Sequence, residues 1–157
     1  MKIGILTLPL HTNYGGILQA YALQTVLERM GHEVVVFDKP YLISRLSLKN
    51  IIVFFKHLIK KTLGIKSSFI NSKKHNKREN AKRRYTNVFI QKYIKRRLIN
   101  NYYQIKPYDY NAIVVGSDQI WRRRFIPCQD VRMAFLDFTK GWNIKRIAYA
   151  ASFGIDY

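Results

Sequence analysis

Two apolar runs and one amphipathic stretch fill the start of the chain. Residues 2–8 and 33–38 are short and rich in Ile, Leu and Val, which predicts two buried strands. Between them, residues 17–30 carry apolar side chains at helical spacing and end before Gly31, a common residue after a helix. The Pro, Asn and Gly residues of 9–16 predict a loop before that helix. This order of elements predicts a βαβ unit with a right-handed crossover.

Residues 44–98 interrupt the alternation with basic helical patterns. Residues 51–65 are amphipathic, with Lys and His on one side and apolar residues on the other, which predicts a helix. Residues 67–77 are polar and predict a loop. Residues 78–98 predict a second basic helix whose core-facing side chains are Tyr85, Val88, Phe89, Tyr93 and Ile94. We therefore expect a basic helical excursion from the main fold.

Strand patterns return after this excursion. Residues 112–115 are an apolar run that predicts a third buried strand, and residues 132–138 and 145–151 predict two further short strands. Strands that alternate with helices are typical of a mainly parallel sheet flanked by helices. The length of 157 residues suits one domain of this α/β class.

Positive charge is concentrated in the excursion. The chain has 28 Lys and Arg against 9 Asp and Glu, a formal net charge of +19. Residues 45–97 hold 17 of those basic residues and one acid, Glu79, while the flanks are close to balanced. A local basic segment favours a docking device, for which nucleic acid, an anionic membrane surface and a solvated helix face remain alternatives. Nucleic acid is disfavoured because the tyrosines that would stack on bases fall at helical core spacing or cluster after the helix.

Several classes of protein are excluded by composition. One cysteine, Cys128, excludes an internal disulfide framework, and it has no nearby His to make it a nucleophile. The four His residues are scattered, so no metal site is predicted. The longest apolar run, residues 51–55, is far shorter than a membrane span, and the N-terminus lacks the pattern of a signal peptide. We therefore expect a cytoplasmic protein.

The glycine-containing loop after the first strand is the first candidate for chemistry. It reads His11-Thr-Asn-Tyr-Gly-Gly16, where glycines allow close backbone approach and the following helix N-terminus attracts anions. The dinucleotide pattern G-x-G-x-x-G and the P-loop lysine are both absent, which argues against NAD and ATP by those routes. The alternative interpretation is a tight turn with no ligand.

The loop after the third strand is the second candidate. It reads Gly116-Ser-Asp-Gln-Ile-Trp121 and lies where ligands bind in parallel sheets. Asp118 suits a general base toward a hydroxyl, Ser117 or Gln119 suits a sugar hydroxyl, and Trp121 suits the face of a sugar. Alternatively, Ser117 or Asp118 caps a short helix that runs through Trp121, and Trp121 fills the core. The loop at 151–156 follows another strand and predicts a third wall of the same crevice.

Three sequence blocks occur in a fixed order along the chain. They are Gly4-Ile-Leu-Thr with Asn13-Tyr-Gly-Gly-Ile-Leu-Gln-Ala-Tyr-Ala-Leu, then Tyr110-Asn-Ala-Ile-Val-Val-Gly-Ser-Asp-Gln-Ile-Trp121, then Ile147-Ala-Tyr-Ala-Ala-Ser-Phe-Gly154. Together these blocks resemble the polysaccharide pyruvyl transferase family. The resemblance implies a Rossmann-like domain like the N-terminal half of a GT-B fold. It also implies transfer of a pyruvyl group from phosphoenolpyruvate to two hydroxyls of one sugar as a ketal, in surface polysaccharide assembly.

The resemblance covers only the N-terminal, acceptor-side half of such a protein. We therefore expect residues 1–157 to form a single domain that is inactive alone, with the donor half absent or supplied by a partner chain. No cofactor is expected, because phosphoenolpyruvate is the donor substrate. The expected partner is a sugar or a lipid-linked oligosaccharide, with residues 51–65 touching the inner membrane surface. Alternatives are a non-catalytic basic module for nucleic acid or a membrane, and a GT-B-like glycosyltransferase fragment.

The site residues follow from the loops and the resemblance together. Asp118 is the predicted catalytic base, and no metal ligands are predicted. The predicted substrate-binding residues are Asn13, Tyr14, Gly15, Gly16, Gln19, Ser117, Gln119, Trp121, Ser152 and Asp156.

Overall fold

The computed structural model describes residues 1–40, 69–125 and 131–154. The described residues contain five strands: β1 (Lys2–Leu6), β2 (Glu33–Asp38), β3 (Arg96–Leu98), β4 (Ala112–Gly116) and β5 (Lys145–Tyr149). The α-helices are α1 (Tyr14–Arg29), α2 (Phe69–Tyr93) and the single turn α3 (Val131–Ala134). Two short 3-10 turns lie at Tyr102–Gln104 and Asp137–Thr139.

All five strands pair in parallel, in the spatial order β3-β2-β1-β4-β5. The central strand β1 places Ile5 opposite Val36 of β2 and opposite Val114 of β4. The chain moves outward on one side of β1 through β2 and β3, then returns to the other side through β4 and β5. This all-parallel sheet with flanking helices confirms the Rossmann-like α/β class. The order reverses between β1 and β4, and ligands of such sheets bind at that reversal.

Both faces of the sheet carry a hydrophobic core. The core on the face of α1 and α2 consists of strand residues and one side of each helix: Ile3, Ile5, Leu10, Ile17, Ala20, Leu23, Val34, Val36, Ile90, Ile94, Ala112 and Val114. The core on the opposite face consists of Leu6, Phe37, Ile99, Ile105, Tyr110, Ile113, Val115, Ile120, Ala134, Leu136 and Phe138. Because consecutive strand residues point to opposite faces, Ile5 and Leu6 belong to different cores.

Helix α1 connects β1 to β2 and ends where the sequence predicts. Its buried positions Ile17, Ala20, Leu23 and Gln24 recur at helical spacing. Gly31 has φ +82° and a Cβ there would meet nothing within 4 Å, so it supplies the left-handed residue that ends many helices. The N–H of His32 then returns to the carbonyl of Leu27 at 3.1 Å.

Gln24 joins α1 to the chain that leads from α2 into β3. Its side-chain amide donates to the carbonyl of Tyr93 at 3.1 Å and accepts from the N–H of Lys95 at 2.9 Å. The carbonyl of Lys95 accepts from the N–H of Val36 at 2.9 Å. A buried amide on the helix therefore aligns the start of β3 beside β2.

Two predicted elements have a different structure. Residues 132–138 are not a strand: α3 and a 3-10 turn are joined through Leu136, whose φ of 61° is left-handed. The alternating burial of Ala134, Leu136 and Phe138 resembles a strand pattern, which explains the wrong prediction. Residues 96–98, expected at the end of the second basic helix, form β3 instead, so the excursion of 44–98 is not helical to its end.

The second basic helix also differs in extent and orientation. Helix α2 starts at Phe69, inside the stretch predicted as a loop. Tyr85 and Val88 are 74% and 65% exposed, and the buried positions on this part of the helix are Thr86 and Ile90. The long basic side chains dominate the pattern, so the narrow buried face is hard to recognise from sequence.

One more predicted helix is absent from the structure, and other predictions fall on residues that the structure does not describe. Residues 117–121, predicted as a short helix, form turns. The predicted helix at 51–65, Cys128 and Asp156 lie outside the described residues. Within the part of the chain that the structure describes, no helix has both the length and the apolar character needed to cross a membrane.

Candidate active site

A cavity of about 950 Å³ lies at the carboxyl ends of β1, β4 and β5, beside α1. Its polar lining comes from the loops and the first turns of α1: Asn13, Gly15, Gly16, Gln19, Ser117, Asp118, Gln119 and Ser152. Its apolar lining comes from the strand bodies and the later turns of α1, among them Val26, Met30, Ile147 and Tyr149. The cavity thus has a polar end at the sheet edge and an apolar end along the helix.

Backbone contacts hold the β4 and β5 loops together. The N–H of Ser152 donates to the carbonyl of Asp118 at 3.0 Å, and the N–H of Trp121 donates to the carbonyl of Ser152 at 3.2 Å. Gly116 has φ +127°, and a Cβ there would overlap the carbonyl oxygen of Tyr149. Only glycine allows β4 and β5 to approach this closely at the point where the site begins.

Asp118 is the titratable side chain at the polar end of the cavity. Its Oδ2 accepts a hydrogen bond from the Thr7 hydroxyl at 2.9 Å. Its Oδ1 is buried and makes no hydrogen bond of ordinary geometry within the described residues. Burial raises the pKa of Asp118, while the Thr7 hydroxyl and the backbone N–H groups of Leu8 and Ile120 oppose that rise. A carboxylate with a raised pKa is suited to accept a proton.

The first turn of α1 lies directly against Asp118. A Cβ added to Gly16 would be 3.7 Å from Oδ2 of Asp118 and 3.2 Å from Nδ2 of Asn13. Asn13 is the residue before α1, and its side chain makes no capping hydrogen bond. The Asn13 amide and the Asp118 carboxylate therefore both lie within 4 Å of the position that a Gly16 side chain would take, and glycine leaves that space open.

Gln119 is fixed on both sides. The Arg122 guanidinium donates to Oε1 of Gln119 at 2.8 Å. Gly154 has φ +60°, and a Cβ there would overlap the Gln119 side chain. The loop after β5 therefore packs against the loop after β4 through the Gln119 side chain, so the two loops form adjoining walls of the cavity.

The loop between β1 and α1 is anchored by side chains of β2, β3 and α2. Asp38, 2% exposed, accepts from the N–H of Leu10 at 3.2 Å and from the Arg96 guanidinium at 3.3 Å. Burial raises the pKa of Asp38, and the hydrogen bond from Leu10 and the charge of Arg96 oppose the rise. Thr86 of α2 donates to the carbonyl of His11 at 2.8 Å. These contacts fix the loop that carries Asn13.

Eight of the predicted site residues line one cavity, and two other described ones, Tyr14 and Trp121, do not. Tyr14 is exposed and is not part of the lining. Trp121 lies against the core of the opposite face, where its indole N–H donates to the carbonyl of Ala134 at 3.1 Å and its ring stacks on Phe135 at 5.2 Å. Asp156 lies outside the described residues. Substrate-binding roles for these residues stay predictions.

Thr7 was missed by the sequence-based reasoning. The signal available was its position directly after β1, in line with Ile5 and on the face of α1. Over residues 1–40, 69–125 and 131–154, no group of three or more His, Cys, Asp or Glu side chains is placed to hold a metal ion.

The family comparison agrees with the blocks that build this site. The model of the family described as polysaccharide pyruvyl transferase matches residues 13–157. No curated protein and no solved structure matches the chain. The matched residues include α1 and the loops after β4 and β5 with the strands that carry them, so the chain belongs to the polysaccharide pyruvyl transferase family.

Proposed function

We propose that this chain holds the acceptor sugar during transfer of a pyruvyl group from phosphoenolpyruvate, with Asp118 as the general base. The observation that carries the proposal is the buried Asp118 carboxylate, which belongs to the lining of the polar end of the cavity and whose Oδ1 makes no hydrogen bond of ordinary geometry within the described residues. Desolvation without a cationic partner makes a carboxylate more basic, which suits removal of a proton from a hydroxyl.

The proposed reaction joins two hydroxyls of one sugar to one carbon of the donor. The first hydroxyl oxygen bonds to the carbon that carries phosphate, and its proton passes to Asp118, while the methylene carbon takes a proton from solvent water and becomes a methyl group. Asp118 then returns its proton to the solvent, so the proton count balances. The second hydroxyl then displaces phosphate from the same carbon, and its proton leaves with the phosphate. The products are the pyruvate ketal and inorganic phosphate.

The polar lining suits a sugar. Asn13, Gln19 and Gln119 carry amides, and Ser117 and Ser152 carry hydroxyls, all around the cavity that contains Asp118. Amides and hydroxyls can both donate to and accept from sugar hydroxyls. No charged side chain other than Asp118 lines this cavity within the described residues, which favours a neutral acceptor group over the anionic donor.

The apolar end of the cavity supports a lipid-linked oligosaccharide as the acceptor. Val26 and Met30 of α1 line this end, and each is more than half exposed. An apolar surface that continues from a polar site is suited to an amphipathic ligand. In this proposal the protein works at the cytoplasmic side of the membrane, and a separate domain or chain holds phosphoenolpyruvate for surface polysaccharide synthesis.

Backbone amide NMR of the full chain tests the acceptor-side assignment. The probes are a panel of neutral mono- and disaccharides, phosphoenolpyruvate, a nucleotide sugar and a short DNA duplex, each added alone. We expect a saccharide to shift the amides of residues 13–19 and 117–119 in the wild type, and to shift them much less in Asp118→Asn. The matched control is Asp137→Asn, which removes an acid that is paired with Arg132 on the surface. Shifts of these amides by phosphoenolpyruvate, the nucleotide sugar or DNA, with none from any saccharide, would contradict the proposal.

A further inference from the structure

The side chain that fixes Asp118 comes from the neighbouring strand. We propose that Thr7 is a positioning residue, whose hydroxyl holds the Asp118 carboxylate beside the first turn of α1 instead of letting it turn toward solvent. The role of Asp118 in the reaction rests on the proposed function, whereas the contact between the two side chains does not.

The geometry of the pair supports this assignment. The Thr7 hydroxyl donates to Oδ2 of Asp118 at 2.9 Å, and Thr7 is only 7% exposed. Within the described residues, Thr7 is the side chain that forms a hydrogen bond with the Asp118 carboxylate. The same oxygen lies 3.7 Å from the position of a Cβ on Gly16, so the hydrogen bond and the cavity-lining helix turn meet at one atom.

A buried carboxylate needs such a contact to stay in place. Oδ1 of Asp118 is buried and, in the part of the chain that the structure describes, makes no hydrogen bond of ordinary geometry, which costs free energy that rotation of the side chain toward water would recover. A hydrogen bond from a hydroxyl to a charged acceptor opposes that rotation because it is stronger than one between neutral groups. Losing it therefore frees the carboxylate to leave the cavity.

Thr7 is itself held rigidly enough to act on a neighbour. It follows the last residue of β1, and Ile5 on the same face is fully buried. A β-branched side chain has few rotamers, so the hydroxyl direction is fixed by the backbone of the strand. Serine keeps the hydroxyl but not the branch, and valine keeps the shape but not the hydroxyl.

Among the described residues, Thr7 is the side chain whose hydrogen bond lowers the pKa of Asp118. The groups that face the carboxylate are the Thr7 hydroxyl after β1, the N–H of Leu8 in the next loop, the N–H of Ile120 in its own loop and the backbone of Gly16 on α1. Among the described residues, no charged side chain contributes to the raised pKa. Removing the Thr7 hydroxyl should therefore raise the pKa of Asp118 further.

Carboxyl carbon NMR of the full chain tests the inference without any substrate. The titration of Asp118 and its χ1 rotamer, from scalar couplings, are measured in the wild type, Thr7→Val, Thr7→Ser and Thr25→Val. We expect Thr7→Val to shift the titration of Asp118 to higher pH and to average its rotamer, while Thr7→Ser, which keeps the hydroxyl but has more rotamers, changes both much less than Thr7→Val does. Thr25→Val is the matched control, since it removes a hydroxyl of α1 that donates only to the carbonyl of Tyr21.

Two results would overturn the inference. One is a wild-type titration and rotamer in a folded Thr7→Val protein. The other is the same change in Thr7→Ser as in Thr7→Val, because packing and not the hydroxyl would then be responsible. If Thr7→Val does not fold, Thr7→Ala against Thr7→Ser makes the same comparison. Failure of the saccharide experiment would contradict the proposed function and leave these measurements unaffected.

Discussion

Replacing Asp118 by asparagine should make the protein more stable while it removes the proposed base. Among residues 1–40, 69–125 and 131–154, the buried carboxylate has no cationic partner, and its Oδ1 makes no hydrogen bond of ordinary geometry. Asparagine is nearly the same shape and can keep a hydrogen bond with Thr7, because a hydroxyl can accept as well as donate. Each unit by which burial raises the pKa of a carboxyl costs the folded protein about 1.4 kcal/mol at neutral pH, so the expected gain on removing the charge is on the order of 1 kcal/mol. For a chain of this size that raises the midpoint of thermal unfolding by about 2–4 °C.

The pH dependence of this gain identifies its cause. Because the pKa of Asp118 is raised above 3.8 in the folded state, the folded protein binds this proton more tightly than the unfolded chain does. The wild type therefore loses stability relative to Asp118→Asn as pH rises from 3.8 through the folded pKa. Below 3.8 the carboxyl is protonated in both states, and the two proteins should unfold at similar temperatures.

Thermal unfolding followed by circular dichroism across this pH range is the assay. Asp137→Asn is the control, because it removes an acid paired at 3.0 Å with the exposed Arg132 and should change stability little. A less stable Asp118→Asn at neutral pH would refute the reasoning. A gain of equal size at all pH values would also refute it, since the cause would not be a buried charge.

Three further predictions concern the fold, and four substitutions test them by chemical denaturation or amide exchange. Gly116→Ala should destabilise the protein by about 3 kcal/mol or more, because the positive φ of Gly116 and the Tyr149 carbonyl both oppose a side chain. Gly31→Ala is the control: this glycine also has a positive φ but open space around it, so the change should cost about 1–2 kcal/mol. Equal losses of stability in the two variants would contradict the close approach of β4 and β5. Gln24→Leu should cost about 1–3 kcal/mol, because two backbone groups before β3 lose their partner; an unchanged free energy of unfolding would show that the amide does not align β3. Thr86→Val should speed amide exchange in the loop before α1 that it holds, and unchanged exchange there would contradict this anchor.

The pattern of apolar residues predicts the strands that are buried on both faces of the sheet. Strands β1, β2 and β4 are continuous apolar runs, and α1 has a clear helical repeat, so these elements lie where the sequence places them. Strand β3 has only three residues, two of them arginine, and its pairing with β2 depends on tertiary contacts. No local pattern distinguishes such a strand from the end of a basic helix.

Position at strand ends predicts much of the candidate site, but not the direction of side chains. Asn13 and Asp118 follow β1 and β4, and parallel strands bring both to one edge of the sheet. Trp121 follows the same strand but packs against the opposite core, where its indole N–H donates to the carbonyl of Ala134. The contact of Thr7 with Asp118 joins residues 111 positions apart, so it becomes visible only when the sheet order is known.

The position of a bound neutral saccharide in a crystal of the full chain tests the central claim most directly. If Asp118 is the base for an acceptor sugar, the sugar lies in the cavity between α1 and the loops of β4 and β5, with one hydroxyl about 2.6–3.2 Å from the Asp118 carboxylate. A saccharide bound instead on the opposite face, against the rings of Trp121, Phe135 and Phe153, would contradict it.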